Sequence, residues 1–151
     1  VIEVEIDDDA WSVVVDVEDR VHEAAALALD ESGVISISLS DDETVADLNQ
    51  RFRGKTGPTN VLSFPAADSA RPFLGDIILA FGVCSSEAVE QSKTLGDHLQ
   101  HLVVHGVLHL KGFDHIEDAE AEAMEALERT LLAKLGLKDP YQFRDDPDQR
   151  P

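Results

Sequence analysis

Residues 98–111, HLQHLVVHGVLHLK, carry apolar side chains on nearly every face of a helix, and no other stretch constrains the fold as strongly. A helix that is apolar all round has no side to give to water, so it must lie between other elements. Into this run the chain places His98, His101, His105 and His109, with His115 close behind. Imidazoles inside an apolar element need partners there, either hydrogen-bond acceptors or a metal ion.

The elements that would enclose the helix are legible on both sides of it. VIEVEI, residues 1–6, alternates apolar and acidic side chains as a half-buried strand does. From about Val13 to Ser32 apolar residues recur at helical spacing, through Val17, Val21, Ala24, Ala25, Ala28 and Leu29, and Gly33 supplies a stop. VISISLS, residues 34–40, alternates again as a second strand. Ser40 is the expected cap of the next helix, with Glu43 completing a capping box. That helix is predicted to end near Phe52 and to bury Val45, Leu48 and Phe52. After a loop at Gly54–Pro58, NVLSF and LGDIILAF read as two more strands. A helix is predicted from about Val83 to Lys93, then a break at Gly96 and a cap at Asp97 for the apolar helix, which Gly112 ends. A last amphipathic helix runs from about Glu117 to Leu135. The order β-α-β-α-β-β-α-α-α predicts a layered fold of one four-stranded mixed sheet with about five helices packed on it. Residues 1–138 form the expected single catalytic domain, and the polar, Pro-rich residues 139–151 a loose tail.

A length of 151 residues fits one domain with a real core. The single cysteine, Cys84, excludes an internal disulfide framework and suits a reducing compartment. No apolar run approaches the ~20 residues of a membrane span, and VIEVEIDDD is too charged for a signal peptide. A soluble, cytoplasmic protein without a membrane partner is expected. The net charge of −19 argues against indiscriminate nucleic-acid binding. It is unevenly spread: residues 1–50 hold 15 acids and one base, whereas residues 51–111 hold five acids and six bases. RFRGK, residues 51–55, is the local exception, with three bases and no acid.

His105 and His109 are four apart, which puts them one turn apart on a helix face, close enough to grip one ion. Gly112 permits a sharp turn, so that His115 can return to the same point. The spacing H-G-x-x-H-x-x-G-x-x-H is that of the metzincin peptidases, except that Gly106 stands where those enzymes carry their glutamate base. Three neutral imidazoles suit one Zn²⁺ per chain and leave a position open, as catalytic sites do. His101 lies roughly 12 Å along the helix axis from His109. For His98, His101 and His22 the simplest reading is a hydrogen-bonded core residue, a place beside the ligands or near substrate being the alternative for His101.

HGVLHLKGFDH, residues 105–115, resembles the H-G-x-L-H-L-x-G-[YF]-D-H signature of the YbeY family of bacterial metal-dependent single-strand endoribonucleases. LNQRFRGKTGPTNVLSFP, residues 48–65, is similar to the family's L-N-x-x-[YF]-R…T-[DN]-V-L-S-F-P segment, with Asn60 in place of the more usual Asp. LGDIIL, residues 74–79, and LERTLLAKLGL, residues 127–137, also fit. The resemblance implies an α+β fold with the metal in a cleft, His105, His109 and His115 as zinc ligands, and Arg53 as the functional arginine. It implies work at the 3′ end of 16S ribosomal RNA and in ribosome quality control, with single-stranded rRNA, the small subunit and its assembly proteins as partners.

The residues suit that chemistry. Arg53 offers a planar, always-charged fork for phosphate. Arg51 and Lys55 would guide the RNA backbone. Asp114, beside a ligand, is a candidate general base but would more simply orient an imidazole. Asp76 would contact a ligand histidine or cap a turn. Phe64 and Phe113 read as core, and the acids from Glu120 to Glu128 as a solvated face. Two other functions share these features: a zinc metallopeptidase-like hydrolase, weakened by the missing glutamate, and a non-catalytic ribosome-assembly factor with a structural metal.

Overall fold

The structure, a computed structural model, describes residues 1–113 and 117–141. Strands β1 (Ile2–Ile6), β2 (Val34–Ser40), β3 (Val61–Pro65) and β4 (Phe73–Ala80) form one sheet in the order β1-β2-β4-β3. β1, β2 and β4 are parallel, and β3 runs antiparallel to β4 at the edge. Side chains alternate across a strand, so Ile35, Ile37, Leu39, Ile77 and Leu79 share one face, and all are fully buried. Helices α1 (Val17–Leu29) and α4 (Leu95–Leu110) cover that face. Helix α2 (Asp42–Arg53) lies on the other, where Val45 meets Leu62 and Ala80 in a small second cluster. α3 (Phe81–Glu90) follows β4 directly, and α5 (Asp118–Lys134) packs against α4. The expected α+β fold with a four-stranded mixed sheet and five helices is therefore present, and α4 is enclosed as its composition requires.

Local differences have local causes. The first helix begins at Val17, not Val13, because the chain spends Asp9–Val13 in a 3-10 turn that buries Trp11. The Trp11 indole N–H donates to the Ser40 carbonyl at 2.9 Å and its ring meets Phe81 edge-on at 5.2 Å. Asp41, not Ser40, caps α2, its carboxylate accepting from the Thr44 N–H at 2.6 Å; Ser40 still belongs to β2 and is buried. A carboxylate is also favoured by the helix dipole at that end. Phe52 is 63 % exposed, beyond the sheet edge, where it touches the Phe64 ring edge-on. His22 is exposed on α1 rather than in the core.

The long apolar helix starts three residues earlier than expected. Thr94 is its cap, accepting from the Asp97 N–H at 3.1 Å, and Gly96 falls inside the first turn. Arg20 of α1 ties this turn down through Asp97 at 2.8 Å and Gln100 at 3.1 Å. Thr94→Ala is expected to lower stability by about 1 kcal/mol, as loss of a helix cap does, read as a shift in urea midpoint with unchanged slope.

Of the expected tail, residues 142–151 lie outside the described residues. No helix among the described residues is long and apolar enough to cross a membrane.

Candidate active site

His101, His105 and His109 occupy successive turns of α4 and open onto a cleft of about 860 Å³. Arg53, Lys55, Thr59, Asn60, Ser63, Phe113 and Tyr141 also line it. Ring orientation is set by what each Nδ1 finds. His109 Nδ1 lies 3.0 Å from the Phe113 carbonyl, and His105 Nδ1 lies 2.5 Å from Glu128 Oε1. A carbonyl and a carboxylate only accept, so both Nδ1 atoms must carry the proton. In a neutral imidazole the other nitrogen, Nε2, then presents a lone pair, and the two Nε2 atoms face each other at 3.0 Å. Two facing acceptors repel unless they share a cation, so this donor set fits a metal ion held by neutral imidazoles.

The chain after α4 turns at Gly112, where φ is 100°, and it is this reversal that brings the Phe113 carbonyl back to His109. His115, the expected third ligand, and Asp114 lie outside the described residues. Among the described residues no group of three or more His, Cys, Asp or Glu side chains is disposed to hold a metal ion. Cys84 is not at the cleft: it is buried and donates to the Asn60 carbonyl at 3.5 Å, and burial pushes its thiol pKa up.

Arg53 ends α2 and reaches β3, where its guanidinium donates to the Ser63 carbonyl at 2.7 Å and lies 5.6 Å from the centre of the Phe64 ring. Phe64 is thus partly buried support beneath the arginine. Lys55 reaches the same cleft. Arg51 does not: two residues apart on a helix means nearly opposite faces, and its guanidinium pairs with Asp47 at 3.3 Å. Asn60 ties β3 to α3, its side-chain amide donating to Glu87 at 3.0 Å. Glu87 also meets His98 at 2.8 Å; His98 is buried, and burial lowers its pKa despite that carboxylate.

Asp76 is displaced from the role expected of it. Its neighbour Ile77 points at α4, so strand alternation sends Asp76 to the α2 side, away from the histidines. There partial burial raises its pKa.

Gly106 shows why the peptidase glutamate has no counterpart. A Cβ at this position would lie 3.0 Å and 3.1 Å from two Ile77 carbons and 3.2 Å from Ser63 Oγ. α4 presses on β3 and β4 so closely that even a Cβ would be tight, and the longer side chain of a glutamate base would have to displace Ile77 or Ser63.

One residue in contact with the histidines was not legible as such in the sequence. Glu120 and Glu122 are exposed, as a solvated face requires, but Glu128 is 0 % exposed. The signal of its burial was present: Met124, Leu131 and Leu132 are the buried residues of α5, and Glu128 sits four after the first and three before the second. A carboxylate on a helix's apolar stripe must be partnered. Besides His105, it accepts from the Tyr141 hydroxyl, and its Oε2 lies 3.6 Å from His101 Nε2. Burial pushes its pKa up, but the contacts with His101, His105 and Tyr141 prevail and hold it at about 2.

Comparisons with known proteins identify the family and the fold. The family model described as Endoribonuclease YbeY matches residues 3–136. An Endoribonuclease YbeY of Maricaulis maris is 52 % identical over 145 residues, spanning 93 % of this chain and 91 % of that protein. One of Paramagnetospirillum magneticum is 52 % identical over 155 residues, spanning 93 % and 94 %. The solution structure of TM1509 from Thermotoga maritima shares the fold, with a TM-score of 0.62 and 23 % identity over 99 % of this chain and 95 % of that one. The chain therefore belongs to the YbeY family of endoribonucleases, nucleases of the hydrolase class that act on RNA.

Proposed function

We propose that this protein is a zinc-dependent, single-strand-specific endoribonuclease that matures the 3′ end of 16S ribosomal RNA and acts in ribosome quality control. The observation that carries the zinc site is the pair of facing Nε2 atoms on His105 and His109, 3.0 Å apart, in a cleft that Arg53 also lines. The names of the relatives support RNA as substrate, and the motif resemblance supports the ribosomal role. In this reading the small ribosomal subunit and its assembly proteins present the RNA in the cytoplasm, a compartment that suits a lone buried thiol.

His105 and His109 hold the ion, with His115 as the third ligand and one Zn²⁺ per chain. When bound, Zn²⁺ supplies positive charge and Lewis acidity at the scissile phosphate. Arg53 binds a phosphate oxygen with the part of its fork not given to Ser63 and offsets charge that grows in the transition state. Lys55 draws the backbone toward the cleft, while the net charge of −19 repels RNA from the rest of the surface. The close approach at Gly106 leaves no base on α4 at the peptidase position, which favours slow RNA cleavage over proteolysis.

The test is cleavage of a labelled single-stranded oligonucleotide with the 16S 3′-end sequence, with its duplex as control. Arg53→Ala is expected to cut about 10²-fold to 10³-fold more slowly, the range for losing one stabilising donor. Arg53→Lys should recover only part, because it keeps the charge without the fork. Wild-type rates from both variants would remove Arg53 from the mechanism; equal cutting of the duplex would remove strand specificity.

A further inference from the structure

We infer that Glu128 is a positioning residue for the metal site, and that α5 with the turn after it sets metal affinity by holding the His105 ring. The inference rests on the metal reading above and adds to it residues outside the ligand motif.

A fully buried carboxylate is costly, and replacing such a group with a well-packed apolar one is often stabilising. Its neighbours on the α5 stripe, Met124, Leu131 and Leu132, show that the position could have been apolar. What Glu128 does there is specific. Its Oε1 accepts from His105 Nδ1 at 2.5 Å, which in the neutral imidazole leaves Nε2 as the lone-pair nitrogen, facing His109. An acceptor on the far nitrogen fixes the tautomer and ring angle of a ligating histidine and raises its basicity.

Glu128 is itself held from behind. Tyr141 donates its hydroxyl to Oε2. Tyr141 is seated in turn by Asp139, which accepts from its N–H at 2.7 Å, and by Arg129, whose guanidinium lies 5.6 Å from its ring centre. Arg129 and Asp139 pair at 3.3 Å and close the turn. Arg129 of α5 and Asp139 and Tyr141 of the turn after it therefore form a clasp that holds Glu128 beside His105. His109 needs no such help, because the α4 C-terminus supplies the Phe113 carbonyl.

The test is zinc affinity by competition with a chromophoric chelator, on metal-stripped protein, for wild type, Glu128→Ala, Glu128→Gln and Tyr141→Phe. Glu128→Ala is expected to bind zinc about 10-fold to 100-fold more weakly. Glu128→Gln should lose less, since an amide oxygen still accepts the Nδ1 proton, and Tyr141→Phe should lose least. Imidazole ¹⁵N shifts of the stripped protein give an independent readout. His105 should be Nδ1-protonated in wild type and a mixture of tautomers in Glu128→Ala. If Glu128→Ala does not fold, the Gln and Phe variants decide. A purely structural Glu128 would shift the urea midpoint but leave zinc affinity and tautomer unchanged; that result overturns the inference and leaves the metal site standing. Wild type that binds no zinc would overturn both.

Discussion

His109→Ala is expected to lose zinc and, with it, RNA cleavage by more than 100-fold. Removal of a mere orienting partner already costs about 10-fold to 100-fold in affinity or activity, and the loss of a ligand exceeds it. The His109 ring cannot be replaced by a neighbour. It is locked by the Phe113 carbonyl at 3.0 Å, and its Nε2 is one of the two that face each other. His101, one helix turn beyond His105, is turned toward Glu128, with its ring against His105 and Tyr141. Metal content by mass spectrometry after dialysis against a weak chelator checks this directly. His22→Ala, an exposed change on α1, is the control and should keep its zinc. About one zinc per chain in wild type and none in His109→Ala is the expected outcome. Equal zinc in both would mean that His109 is not a ligand.

Gly106→Glu is expected to lower stability by about 4 kcal/mol or more, on the scale of a small domain's whole stability. It places an unpaired carboxylate in a fully packed helix–sheet contact, against Ile77 and Ser63. Restoring the metzincin motif in letters would thus destroy the packing that holds the histidines, and no proteolysis of an unfolded protein should appear. Gly106→Ala isolates the steric part: overpacking of about 1–3 kcal/mol, offset by up to about 1 kcal/mol of helix propensity. Urea midpoints of the variants measure both. A Gly106→Glu protein with the wild-type midpoint would show that α4 can lift from the sheet, and the close approach would no longer explain the glycine.

The two substitutions divide what was legible from what was not. The buried course of α4, the strand alternation of β1 and β2, and the shared face of His105 and His109 all depend on the repeat geometry of the backbone. That geometry is written in residue spacing, so reading it required no neighbour. Arg51 and Arg53 show where spacing stops helping: both are basic and two apart, yet one turns to Asp47 and the other to the Ser63 carbonyl beside the cleft. Phe52 was misplaced for a related reason. Its helical phase is right for the core, but the sheet ends at β3 before reaching it.

By itself the sequence determined that an apolar helix carrying metal-spaced histidines must be enclosed by strands and helices in this order. Local chain geometry and the hydrophobic effect act within each segment and leave little choice there. Only the tertiary structure decided which nitrogen of each histidine is presented, because that depends on acceptors supplied by packing: the Phe113 carbonyl for one, and for the other Glu128, a carboxylate 23 residues away on a different helix. Hydrogen bonds act over about 3 Å, and distances that short between separate elements exist only once the elements have docked.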